Sequence, residues 1–237
     1  MEREADIERD GRRIEALYAL VYYVVYVGYL GIHQESEFWH WVTLVILPFW
    51  LISLLQRRRS GQWSLKAGLG TVGLRRGNLA RGLIWVLPSG LAISLGLQLI
   101  FSSNSQEFID IMTSPRVLYL APLTFLLLTV TAGFTEEFFF RGIIQTRLSE
   151  LLGSRVLAVL AVSVLFALYH LPYAYLNPAW PSHGDFGAAV GAAMFNGAFG
   201  GVVIGFVYAL ANGNLMAAVI AHSLIDLLPA MALFQSR

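Results

Sequence analysis

Long apolar runs separated by short polar segments set the pattern of this chain. Ala16–Ile32 is apolar and rich in aromatic residues, Trp39–Leu55 is a second run, and Leu83–Phe101, carrying Pro88, is a third. Val117–Gly133 is the fourth. A mixed stretch, TEEFFFRGIIQTRLSELLGS, precedes Val156–Leu171; the loop PYAYLNPAWPSHGD then leads to Phe186–Ala211 and Leu215–Phe234. Each run approaches the roughly 20 residues a helix needs to cross hydrocarbon. None shows the alternation of outer-membrane strands. The expected fold class is an all-α polytopic membrane protein, with about eight transmembrane helices enclosing a polar intramembrane cavity. One integral membrane domain is expected over 1–237, with a charged N-terminus over 1–15 and the chemistry on the helices of 117–234.

Composition agrees. Apolar residues make up 57% of the 237 and charged residues only 13%, against about 25% charged in soluble domains. The net charge of +1 gives no basic field for nucleic acid, so none is expected as a partner; the bilayer is. Cysteine is absent, which removes disulfides, thiol nucleophiles and thiolate metal sites. Between Gln56 and Arg81 stand Arg57, Arg58, Arg59, Lys66, Arg75, Arg76 and Arg81 with no acidic residue. The positive-inside rule makes that loop, and with it the N-terminus, cytoplasmic. The short chain suits a prokaryotic plasma membrane.

Ionisable groups in apolar segments are expensive and mark function. Glu136 and Glu137 begin one cluster, and Arg141 lies one turn beyond Glu137, where the two can pair. Glu136 is rotated about 100° from Glu137, so it faces elsewhere. His170 closes SVLFALYH, with Phe166 one turn earlier on the same face. His222 and Asp226 share one face of AVIAHSLIDLLPA. Jointly they supply what amide hydrolysis needs: a carboxylate to take a proton from water, an imidazole to hold that water, and donors for an oxyanion. No His-Glu-x-x-His and no Gly-x-Ser-x-Gly is present. The pairs Gly187/Gly191, Gly197/Gly201 and Gly201/Gly205 allow close helix approach.

In order, Glu136-Glu137-x-x-x-Arg141, Phe166-x-x-x-His170 and His222-x-x-x-Asp226 resemble the CPBP intramembrane proteases, the Abi and CAAX-prenyl protease relatives that include the type II CAAX endopeptidase. FGGVVIG (199–205) is similar to a weaker glycine motif of that family. The resemblance covers roughly Val117–Leu228. It implies eight helices and an intramembrane endopeptidase acting on a peptide or protein, including prenylated or membrane-associated ones. It implies Glu136 as the base, His170 as its partner in activating water, His222 and Asp226 as the oxyanion pair, and Glu137 and Arg141 in support. Asp226 departs from the family's usual Asn. As a carboxylate it can only accept, so it must be protonated, orient His222, or bind a metal. A metal-free mechanism without cofactor is preferred; Glu136, His170, His222 and Asp226 also form a credible ligand set for a divalent ion such as zinc.

Depth poses a problem. With seven crossings, Glu136 and His170 would fall at opposite faces, some 25–30 Å apart. With Thr135–Leu152 as a crossing of its own there are eight, and both residues lie toward the cytoplasm, at the cost of Arg155 in an outer loop. Eight is preferred, with a cavity open to the cytoplasm or inner leaflet. Two rival functions are a non-catalytic peptide-binding or immunity protein and a proton-coupled transporter.

Overall fold

The computed structural model describes residues 2–33, 37–61, 64–74 and 113–235 except Ala179, with six single residues between 75 and 112. Most of the third apolar run, together with Arg75, Arg76 and Arg81, lies outside them. The described residues form helices and no strand: α1 (Glu2–Leu30), α2 (the continuous segments Glu37–His40, Trp41–Ile46 and Leu47–Ser60), α3 (Leu65–Thr71), α4 (Val117–Leu152), α5 (Arg155–Leu176), α6 (Phe186–Leu210), α7 (Leu215–Ile225) and α8 (Leu227–Gln235). Among the described residues, four segments are long and apolar enough to cross a membrane: Trp41–Arg58 of α2, and α4, α5 and α6. Exposed Leu118, Leu123, Leu126, Val156, Leu160 and Val164 give α4 and α5 apolar outer faces. At this level the chain is an all-helical integral membrane protein.

The expected division at Gly133 falls two residues from a kink in α4. The fourth run and the mixed stretch form one continuous segment of 36 residues, about 54 Å along its path, too long for one straight crossing of roughly 30 Å of hydrocarbon. It breaks at Thr131, the one non-helical residue of a π turn over Thr129–Gly133 (φ −86°, ψ −105°). The arm before the break packs on α8 and the arm after it on α5. Gly153, with φ +62°, stops α4; the Ser154 side chain, accepting from Leu157 N–H, starts α5. This tight turn sets the register. Glu136 stands seventeen residues before Gly153 and His170 seventeen after it. Antiparallel arms of equal length bring the two to one level. The arm after the break, which contains Thr135–Leu152, thus lies antiparallel to α5 and carries Glu136 to the level of His170.

The arms also fix which ends face together. Arg147, late in α4, lies 3.5 Å from Glu15 of α1; Gln56, near the end of α2, donates to Glu15 at 3.1 Å; Arg155 reaches Asn212 at 3.5 Å. The early part of α1, the arginine-rich end of α2, the α4–α5 turn and the α6–α7 turn thus share one end. Arg155 is not on the opposite side from the N-terminal residues, as eight crossings required. Glu136 lies eleven residues before Arg147, about 16 Å farther along the helix, toward the other end.

Glycine sets the spacing of α5 and α6. An added Cβ would lie 2.5 Å from Ala167 Cα at Gly197, 3.1 Å from Ser163 Cα at Gly201, and 2.9 Å from Val159 Cγ1 at Gly205. Four residues down one helix match four up the other. Gly191 has nothing within 4 Å, so the pair Gly187/Gly191 does not serve this contact. The last apolar run divides at Asp226 into α7 and α8. Pro229 lacks an N–H and its ring clashes with the carbonyl four residues back, at Ile225, which is the last residue of α7.

Candidate active site

Four elements build the site: the second arm of α4, α5, α7 and the α7–α8 junction. Arg141 is fully buried. It donates to Glu137 Oε1 at 2.9 Å and to the Gly201 carbonyl at 3.0 Å, and its guanidinium lies 4.6 Å over the Phe166 ring. One turn on, Gln145 donates to the Gly205 carbonyl at 3.1 Å. The glycine stripe thus leaves backbone carbonyls within reach of buried donors as well as letting α6 close on α5. Breaking one such buried pair costs about 3–5 kcal/mol.

Glu137 Oε1 also takes His222 Nδ1 at 2.7 Å, while His222 Nε2 lies 3.1 Å from Asp226 Oδ2. Two carboxylates therefore grip one imidazole, and each contact needs a proton. Neutral histidine has one N–H. Either the ring carries both protons or a carboxyl supplies the second. In both cases Asp226 engages His222 as an acceptor or an acid, two of the three roles expected of it. The Asp226 side chain is 42% exposed, so the site opens on its side.

His170 is held differently. Its Nδ1 lies 2.8 Å from the Phe166 carbonyl, which can only accept. The proton is therefore on Nδ1, and Nε2 presents its lone pair. Phe166 packs edge to face on His170, with centroids 4.5 Å apart, and stands 6.0 Å from His222. Glu136 faces the space between the rings. Its Oε2 has no hydrogen-bond partner in the protein and lies 4.0 Å from His170 Nε2 and 3.9 Å from His222 Nε2. Both separations exceed a direct hydrogen bond and suit one water touching all three groups. All seven residues expected from the sequence thus meet here.

The sequence reading missed Tyr169. Its hydroxyl reaches Glu136 Oε1 at 3.4 Å, and the residue is only 1% exposed. The signal was a phenol in an otherwise apolar run, where phenylalanine would pack as well. A cavity of about 470 Å³ lies away from these residues, at the Glu15–Arg147 end, lined by Arg12, Thr71, Tyr208 and Asn212 among others. Among the described residues, no group of three or more His, Asp and Glu stands ready to hold a metal ion.

No curated protein and no solved structure matches this chain. Residues 118–228 match the family model described as type II CAAX prenyl endopeptidase, Rce1-like. That stretch, just under half of the chain, contains Glu136, Glu137, Arg141, Phe166, Tyr169, His170, His222 and Asp226. Over these residues the chain is similar to the Rce1-like family, a family of proteases.

Proposed function

We propose that this chain is an intramembrane endopeptidase hydrolysing a peptide bond with a water activated by Glu136. The observation that carries this reading is the position of Glu136 Oε2, buried, free of protein donors, and within about 4 Å of two imidazole nitrogens. Glu136 takes one water proton while His170 Nε2 accepts the hydrogen bond of the other. The hydroxide adds to the scissile carbonyl. The proton between His222 and Asp226 turns to the developing oxyanion, where a donor in a dry site has most effect. As the tetrahedral species collapses, Glu136 passes its proton to the leaving amine, and the hydroxyl proton of the new acid follows to give carboxylate and ammonium. Glu137 and Arg141 hold His222 in place throughout.

No step runs through a metal: His222 is held by Glu137 at Nδ1 and by Asp226 at Nε2, and the base, the water acceptor and the oxyanion donor are all supplied by side chains. Full loss of cleavage on chelation, restored by zinc, would reverse that choice. Substrates in this reading are peptides or proteins at the membrane, with a prenylated C-terminal motif favoured by the family description. The host membrane is a prokaryotic plasma membrane with the arginine-rich end in the cytoplasm, which puts Glu136 in the outer half. The chain has no cysteine, so single cysteines at Arg13, Ser154 and Asn212 should all label from the inner side only. Comparison of cellular peptides between wild type and Glu136→Gln tests the activity: a peptide whose processing stops in the variant identifies the substrate. An unchanged peptide profile refutes the assignment.

A further inference from the structure

We propose that Tyr169 is a positioning residue for the hydrolysis: its hydroxyl holds one lobe of the Glu136 carboxylate and thereby fixes the other lobe between the two imidazoles. The inference rests on Glu136 as the base. Helix α5 meets that carboxylate with two consecutive residues. The Tyr169 hydroxyl donates to Oε1 at 3.4 Å, and His170 Nε2 lies 4.0 Å from Oε2. One step along a helix turns a side chain by about 100°, so a single stretch of backbone places a different group at each lobe.

The two groups differ in kind. A carboxylate only accepts, so the phenol supplies the proton at Oε1. His170 has its ring hydrogen on Nδ1, at the Phe166 carbonyl, and turns a lone pair toward Oε2. That lobe has no hydrogen-bond partner in the protein and is also 3.9 Å from His222 Nε2. One oxygen is anchored and the other is left for water. The terminal torsion of a glutamate is broad and roughly two-fold. Without an anchor the two oxygens would trade places, and Oε2 would leave the point that both rings address. At 3.4 Å the bond is long, as catalytic hydrogen bonds commonly are before substrate closes the site.

The anchor is itself held by packing. Tyr169 is 1% exposed, against 8% for Glu136, so a substrate reaches the carboxylate and not the phenol. Its ring stacks on Tyr26 with centroids 6.1 Å apart, tilts against Phe140 at 5.1 Å and stacks on Phe166 at 6.1 Å. Phenylalanine would keep all three contacts. A buried phenol usually gives its O–H a partner, and a partner here is the base. The hydroxyl, rather than the ring, is what the reaction uses.

The full-length protein in lipid nanodiscs is assayed with a peptide whose processing Glu136→Gln abolishes, the unfolding temperature reporting the fold. Tyr169→Phe should lower kcat roughly tenfold, the scale of a small misplacement, at unchanged KM. Tyr169→para-fluorophenylalanine fills the volume of the hydroxyl without donating and should be as slow. Tyr169→para-aminophenylalanine places an N–H donor there and should recover most of the rate. Activity restored by the fluoro variant, or wild-type kcat in Tyr169→Phe, overturns the positioning role. With tyrosine ¹³C-labelled at Cζ, the resonance missing from Tyr169→Phe should shift upfield in Glu136→Gln, where a neutral amide replaces the charged acceptor. An unmoved resonance in that folded variant overturns the bond itself. Unimpaired cleavage by Glu136→Gln would instead remove the proposed function and the positioning role with it, while the resonance still decides the bond.

Discussion

Helix α4 carries two buried arginines, and the contrast between their surroundings separates scaffold from chemistry. Arg141 is tied to Glu137, a backbone carbonyl and an aromatic face. Arg147 is tied to Glu15 and to the carbonyls of Thr71 and Gly142. By charge and burial the two are alike. The cavity of about 470 Å³ is beside Arg147, yet that end lacks a histidine, and its Glu15 is held by both Arg147 and Gln56. Beside Arg141 stands a second carboxylate with a lobe free of partners and two imidazoles within reach. The candidate site is marked by an unsatisfied carboxylate among oriented rings rather than by available volume.

The sharpest way to break this contrast is Glu136→Gln, which should keep the fold and reduce cleavage by about 10²–10⁴-fold, the range of general-base catalysis. Glu15→Gln should leave kcat of the folded protein near wild type, and a loss equal to that of Glu136→Gln would erase the distinction between the two ends. Next in size is Arg141→Ala, which strands Glu137 in a dry setting and should cost about 3–5 kcal/mol in denaturant unfolding in micelles. Arg147→Ala should cost less, because water in the adjoining cavity can serve Glu15. Equal losses would mean that the two ends are equally dry.

Glycine provides a finer comparison. Gly201→Ala forces α5 and α6 apart and should destabilise by about 1–3 kcal/mol, with weaker cleavage as the carbonyl under Arg141 moves. Gly191→Ala meets open space and should change stability by no more than about 1 kcal/mol, in the stabilising direction, from helix propensity. Thermal unfolding of the two variants side by side checks both.

How much of this was legible follows from the range of each signal. Spacings within one helix were readable: Glu137 with Arg141, Phe166 with His170 and His222 with Asp226 are each four apart, and each pair is in contact. The glycine stripe was readable as a packing face, though not which of its pairs served, since that depends on the facing helix. The break at Thr131 was readable to within two residues, since the fourth run ends at Gly133; its π turn was not, because TVTAG holds no proline and packing fixes it. Whether the arm after the break crosses separately was the dilemma of seven against eight crossings. The division at Asp226 was available from Pro229 but was outweighed by an uninterrupted apolar run. Tyr169 was hidden because its partner belongs to another helix.

The equal arms about Gly153 act as a ruler for this protein. Adding or deleting one residue between Glu137 and Tyr169 would displace one side of the reaction centre by about 1.5 Å and swing it by about 100°. Compensation would demand a matched change in the other arm. Length tolerance should therefore be confined to segments outside this span, such as the loop before α6, and the distance along the chain from Glu136 to His170 is itself part of what assembles the candidate site.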